Sequence, residues 1–221
     1  MNNVCIFTIV SKNYTHVARA LMHSVEQYYP EANRVVALCD KPDDFDYSRD
    51  NFEIFNLGRL DNIPSFEKFL FRYTILELNT AIKPYVIEKL FDLGYEKVIY
   101  IDPDIKIYSS LIQMVILLDS KESLLTPHLT GELDDEALPS ELDILRSGTY
   151  NLGYIGLRDS QSTRSLIKCW KGKPYKDCVV DLERGLIVDQ KWMEMVPRIF
   201  EGDHVERNEA VADRHMTLQT N

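Results

Sequence analysis

Two aspartates, Asp102 and Asp104, stand two residues apart in the run V-I-Y-I-D-P-D-I-K-I-Y that covers residues 98–108. In extended backbone, positions i and i+2 point to the same face. Two carboxylates at that spacing repel each other unless a cation lies between them. Hard divalent ions with oxygen ligands, Mn²⁺ or Mg²⁺, suit such a pair and keep coordination positions free for substrate phosphates. Pro103 removes a backbone donor and fixes φ, so the pair is held stiffly. Spacing alone is a weak signal: a chain with 19 aspartates holds roughly one or two such pairs by chance. Asp44-Phe45-Asp46 is a second match, in what reads as a surface turn. Context separates the two. Only Asp102 and Asp104 follow an apolar strand, and open α/β sheets bind ligands beyond the carboxyl ends of their strands.

The elements that must carry this pair are legible around it. Residues 4–10 are a continuous apolar run, as expected for a strand buried on both faces. Ser11 and Asn13 precede a helical pattern over 16–28 that Pro30 ends. Residues 34–39 and 52–57 read as two further strands, so the chain opens β-α-β, the start of a doubly wound α/β domain. A helix is expected over 65–78 with Ser65 as its cap. Another begins near Pro84 and stops at Gly94. The quoted strand, 97–101, follows. A helix over 110–118, strands over 123–126 and 150–157, and helices over 162–170 and 190–196 complete the pattern. Residues 131–136 read as an acidic exposed loop. The expected domain covers 1–201, and the polar residues 202–221 read as a loosely held tail.

Composition narrows the partners. The chain has 221 residues and a net charge of −10, with 45% hydrophobic residues. A chain of this length can bury a core without staples. No Lys/Arg-rich run appears, so nucleic acid is not an expected partner. Cys5, Cys39, Cys169 and Cys178 form no C-x-x-C pair and have no histidine at zinc-ligand spacing. They read as reduced thiols, Cys5 and Cys39 as core filler. The apolar N-terminal run lacks a basic flank and a cleavage site, and reads as a strand rather than a signal peptide. No stretch is long enough to span a bilayer. The expected location is cytoplasmic or peripheral to a membrane.

Four stretches, in order, resemble the retaining nucleotide-sugar glycosyltransferases of the GT-A fold, close to glycosyltransferase family 8. They are F-T-I-V-S-K-N-Y-T-H-V-A-R-A-L-M-H-S-V, A-I-K-P-Y-V-I-E-K-L-F-D-L-G-Y-E-K-V-I-Y-I-D-P-D, Y-N-L-G-Y-I-G-L and L-I-V-D-Q-K-W, spanning roughly residues 4–200. The resemblance implies a Rossmann-type α/β/α sandwich with a mixed, mainly parallel sheet. It also implies transfer of a hexose, with retention, from a UDP-sugar to an acceptor such as a glycan or lipid-linked glycan. Asp102 and Asp104, with Pro103 between them, would hold Mn²⁺ or Mg²⁺ against the donor diphosphate. Thr8 and Ile9 would line the base pocket, with Lys12 and Tyr14 close by. Lys83 would approach the phosphate or ribose. Asn151 and Gly153 would border the sugar, and Asp189 and Gln190 would sit beside its anomeric carbon.

Each role has a plainer alternative in the residue type. Thr8 is a good strand residue, and Lys83 a common helix-start residue. Asn151-Leu152-Gly153 suits a turn, and Asp189 suits a helix N-cap. Phe66, Phe69, Phe71, Tyr73, Trp170 and Trp192 read as core rather than sugar platforms. His128 reads as a surface or internally satisfied histidine. The resembled family brings a third metal ligand, a histidine, from a C-terminal segment that is not recognisable here; His204 and His215 are the histidines of that region. A relic that binds a nucleotide or a partner without turnover is therefore the alternative reading. A sugar-1-phosphate nucleotidyltransferase ranks below both, because S-K-N-Y-T-H after the first strand has no glycine.

Overall fold

A computed structural model describes residues 3–40, 47–129, 131, 138, 140–172, 177–181 and 186–196. The second aspartate pair, most of the acidic loop, His204, His215 and the expected tail at 202–221 lie outside the described residues.

Six strands form one sheet in the order β3-β2-β1-β4-β6-β5. They are β1 (Val4–Val10), β2 (Asn33–Leu38), β3 (Glu53–Asn56), β4 (Lys97–Ile101), β5 (Ser123–Pro127) and β6 (Tyr150–Arg158). β3, β2, β1 and β4 run parallel, and β6 is antiparallel to both β4 and β5. This is the expected mixed, mainly parallel sheet.

Helices cover both faces. α1 (Thr15–Tyr28) and α5 (Ile112–Leu117) pack on one side, with Ile6, Val10, Ile99 and Ile101 of the sheet. On the other side lie α2 (Phe66–Arg72), α3 (Ile75–Ala81), α4 (Lys83–Asp92) and α7 (Gln161–Gly172), with Phe7, Ile9, Val98 and Tyr100. Alternate residues of β1 and β4 thus feed two cores, and both strands read as continuous apolar runs because neither face meets water.

The expected helix over 65–78 is two helices. Thr74 interrupts it: its hydroxyl accepts from the Glu77 backbone N–H while the Glu77 carboxylate accepts from the Thr74 N–H, a reciprocal capping box that starts α3. Ser65 makes no side-chain cap and sits at φ 49°. α4 has Pro84 in its first turn, and the chain leaves it through Gly94 at φ 96°. Among the described residues, α6 (Glu141–Ser147), the two-residue strands β7 (Val180–Asp181) and β8 (Leu186–Ile187), and the short 3-10 turns Lys12–Tyr14 and Leu57–Arg59 had no sequence expectation. α8 (Gln190–Met193) follows Asp189. Phe69, Tyr73 and Trp170 are buried, but Phe71 is 92% exposed, contrary to its reading as core. The four cysteines are free thiols; Cys5 and Cys178 are buried and Cys39 only partly so.

Candidate functional site

A cleft of about 450 Å³ opens at the carboxyl ends of β1 and β4. β1 supplies Ile9, and the turn after it supplies Ser11, Asn13 and Tyr14. α3 forms one wall with Ile75, Leu76, Asn79 and Thr80, and α4 contributes Lys83. β4 and its exit supply Tyr100, Asp102, Pro103 and Asp104. β6 supplies Asn151, Leu152 and Gly153, and the segment into α8 supplies Val188, Asp189 and Gln190.

Strand alternation puts Val98, Tyr100 and Asp102 on one face of β4. The Tyr100 hydroxyl donates to Asp102 Oδ1 at 2.5 Å. The Asp102 N–H donates to the Gly153 carbonyl at 2.8 Å, which extends the β4–β6 ladder one step past the strand. β6 is irregular at this point. Its partner β5 pairs Leu125 with Ile155 but Thr126 with Asn151, so residues 152–154 form a bulge against β5 while Gly153 and Tyr154 keep their pairing to β4. The bulge lets Asn151 Oδ1 accept from the Gly153 N–H at 2.7 Å. A Cβ on Gly153 would lie 2.8 Å from that Asn151 oxygen and 3.0 Å from Asp102 Oδ2, so a side chain there would displace these two side-chain oxygens.

Asp104 is exposed at the cleft mouth. Partial burial of its carboxyl, reinforced by the Asp102 charge, holds it above the usual carboxylate range. Burial, followed by the same Asp102 charge, pushes Tyr100 well above the usual phenol range, so it is a donor at neutral pH.

Deeper in the cleft, Lys83 is 5% exposed. Its Nζ donates to the Leu152 carbonyl at 3.3 Å, lies 4.4 Å from the Tyr100 ring centroid and stands 3.6 Å from Asp189 Oδ2. That last distance is an ion pair without a hydrogen bond, and Asp189 Oδ2 has no hydrogen-bond partner among the described residues. Asp189 is 1% exposed. Burial raises its pKa, and the Lys83 charge opposes that rise. Val188 just before it sits at φ 40°, a strained conformation for a β-branched residue. Asp189 occupies the N-cap position of α8 but makes no cap hydrogen bond; its carboxylate turns inward instead. Gln190 Nε2 donates to the Tyr150 carbonyl at 3.3 Å and lies 3.1 Å from His128 Nε2. A backbone carbonyl only accepts, so it is the Gln190 amide nitrogen that faces Tyr150.

Of the residues singled out from sequence, Ile9, Tyr14, Lys83, Asp102, Pro103, Asp104, Asn151, Gly153, Asp189 and Gln190 line this one cleft. Thr8 does not. It shares a face with Ile6 and Val10 under α1, because neighbours in a strand point opposite ways. Lys12 does not line the cleft either; its backbone N–H donates to Asp40 Oδ2 at 2.6 Å. The sequence reading missed Tyr100, although its i−2 position to Asp102 was available as a signal. It also missed the α3 wall, whose residues carry no motif. His128, read as a surface or internally satisfied histidine, has its Nε2 3.1 Å from Gln190 Nε2, in keeping with the second of those readings.

The donor set fits a hard divalent cation. Both groups are carboxylates, Asp102 keeps Oδ2 clear of the Tyr100 bond, and the cleft lysine is committed to Leu152, Tyr100 and Asp189 rather than to the acid pair. Among the described residues no three His, Cys, Asp or Glu side chains converge as metal ligands. The remaining positions would therefore fall to water and phosphate oxygens, the usual arrangement for Mg²⁺.

Solved structures share this architecture. The glycosyltransferase GlyE from Streptococcus pneumoniae TIGR4 aligns at TM-score 0.56 and 12% identity, over 91% of this chain and 44% of GlyE. Its apo form aligns at TM-score 0.55 and 12% identity, over 92% of this chain and 44% of that one. A protein assigned as a nucleotide-diphospho-sugar transferase, from Desulfovibrio desulfuricans G20, aligns at TM-score 0.48 and 15% identity, over 93% of this chain and 79% of its own. This chain thus spans less than half the length of GlyE. At such identities the likeness is one of fold: the GT-A-like sheet flanked by helices. No protein-family model and no curated protein matches the sequence.

Proposed function

We propose that this chain is a glycosyltransferase that binds a nucleoside-diphosphate sugar, a UDP-hexose, in the cleft and transfers the hexose with retention to a glycan or lipid-linked glycan. The observation that carries this reading is the convergence, in one cleft, of an acid pair at a strand exit with Asn151, Asp189 and Gln190 from distant parts of the chain. The shared fold with a glycosyltransferase supports it.

Asp102 and Asp104 would hold Mn²⁺ or Mg²⁺, which when bound supplies Lewis-acid stabilisation of charge on the departing diphosphate. The chain's own groups do the rest. Asn151 Oδ1 is spent on the Gly153 N–H, so its amide N–H groups are presented as donors to a sugar hydroxyl. Gln190, its amide nitrogen facing Tyr150, would turn Oε1, an acceptor dipole, toward positive character on the sugar ring. Asp189 adds negative charge from a buried position, where electrostatics act more strongly than in water. Lys83 counters the burial that would otherwise neutralise Asp189. In the transfer, the C1–O bond to the diphosphate breaks with its electron pair staying on the diphosphate. The acceptor oxygen forms its bond to C1 on the same face, and its proton passes to the leaving diphosphate.

The test is incubation with UDP-glucose or UDP-galactose and Mn²⁺, following UDP release and the anomeric configuration of the released or transferred sugar. Retained configuration, with release cut roughly 100-fold or more by Asp102→Asn, supports the proposal. A second reading, a relic that binds a nucleotide without turnover, takes its support from the sequence, where the segment expected to bring a third ligand is not recognisable. It predicts Mn²⁺-dependent UDP binding without UDP release from any donor.

A further inference from the structure

We propose that Tyr100 is a positioning residue: its buried hydroxyl, by donating to Asp102 Oδ1, reserves Oδ2 for the cation. The inference rests on the reading of Asp102 and Asp104 as cation ligands.

A phenylalanine would fill this place in the core equally well. The ring packs against Phe7 with centroids 5.2 Å apart, and the residue is 3% exposed. Lys83 Nζ also lies over the ring, 4.4 Å from its centroid. Packed against both and almost fully buried, the ring has little room to swing, so its hydroxyl is a fixed donor. Burying a hydroxyl is costly unless it is bonded, and this one is aimed at a carboxylate two residues further along the same strand face, at 2.5 Å.

The bond matters because the terminal torsion of an aspartate is soft and roughly two-fold. The Asp102 backbone is pinned by its N–H to the Gly153 carbonyl, but that leaves the carboxylate free to pivot. The phenol removes the freedom and distinguishes the two oxygens. Gly153 acts from the opposite side. A Cβ there would stand 3.0 Å from Oδ2, so its absence keeps the second oxygen uncovered. Two effects oppose each other. Phenol donation draws electron density from the carboxylate and weakens it as a ligand. Orientation favours binding, and loss of such outer partners commonly costs 10–100-fold in metal affinity, so orientation wins.

The experiment is a titration of the metal-free full chain with Mn²⁺ alone, reading free Mn²⁺ by its electron paramagnetic resonance signal. No nucleotide and no turnover are involved. Tyr100→Phe is expected to raise the Mn²⁺ dissociation constant about 10-fold while leaving the far-UV circular dichroism and the urea midpoint nearly unchanged. The double variant Tyr100→Phe/Asp102→Asn is expected to bind no more weakly than Asp102→Asn alone, because the hydroxyl acts through Asp102. Gly153→Ala, which crowds Oδ2 from the other side, is expected to weaken Mn²⁺ as well. Affinity of Tyr100→Phe equal to or tighter than wild type would overturn the role of Tyr100 alone. A wild-type chain that takes up no Mn²⁺ would overturn the acid-pair reading, and this inference with it. A double variant weaker than Asp102→Asn would show the hydroxyl acting elsewhere.

Discussion

Lys83 and Asp189 illustrate what single residues cost the fold. Each is almost fully buried, and their charges meet at 3.6 Å without a hydrogen bond. Breaking a buried pair from one side leaves the other charge uncompensated. Lys83→Met is therefore expected to lower the unfolding free energy by about 3–5 kcal/mol in urea titrations. Adding Asp189→Asn should return part of that loss, since the remaining group is then neutral. If Lys83→Met unfolds at the wild-type midpoint, the pair does not balance burial as described. Val188, held at φ 40° beside Asp189, is further strain tolerated at this spot. From sequence, the acid pair pointed to a site by its context after an apolar run, while Asn151, Gly153, Asp189 and Gln190 did so only through the resemblance to the glycosyltransferases. Thr8 shows the limit. It lies one residue from Ile9, and a one-residue difference in a strand decides which face a side chain occupies. Asn79 was invisible because an asparagine in a helix carries no signal until a neighbour across the fold is known, whereas Tyr100 stood two residues before Asp102 on the same strand face.

At the scale of elements, caps and bulges position the cleft wall. α3 carries Asn79 and Thr80, and its start is fixed by the Thr74–Glu77 capping box. Thr74→Ala is expected to cost about 1 kcal/mol of stability. That shift should register as a melting temperature lower by about 2–4 °C; no change would mean the box is incidental. The bulge in β6 is the second device. Because Gly153 sits where a methyl would meet both Asn151 and Asp102, Gly153→Ala should weaken nucleotide binding far more than it lowers the melting temperature. The reverse pattern would make the glycine a folding requirement only. Most elements were readable from apolar periodicity, above all β1, α1, α4 and β4. The break between α2 and α3 was not, since T-I-L-E lies inside an otherwise continuous helical pattern. α6 was missed although Ser140 and Asp143 form the same kind of box, because its exposed Leu142 and Leu145 blur the amphipathic pattern. β7 and β8 are two residues each, too short for any period to show.

For the whole molecule, the central strands β1 and β4 are buried on both faces and carry the cleft at their carboxyl ends. Amide exchange should be slowest there and much faster in α6, where Leu142 and Leu145 are exposed; β1 amides exchanging as fast as those of α6 would contradict the two-core architecture. The α/β class and the position of the acid pair at a strand exit were both legible in the sequence. The antiparallel insertion of β6 beside β4, which brings Asn151 and Gly153 against Asp102, was not, because strand order is set by packing across the sheet and not by local pattern. With a net charge of −10, the chain repels an anionic donor unless a cation compensates locally. The measurement that bears most directly on the account is the thermal stability of the chain with UDP, with and without Mn²⁺. At UDP near 100 times its dissociation constant, the account predicts a rise of about 5–10 °C. The rise should require Mn²⁺, reverse with EDTA and disappear in Asp102→Asn. A melting temperature indifferent to millimolar UDP and Mn²⁺, or a rise that Asp102→Asn leaves intact, would contradict it.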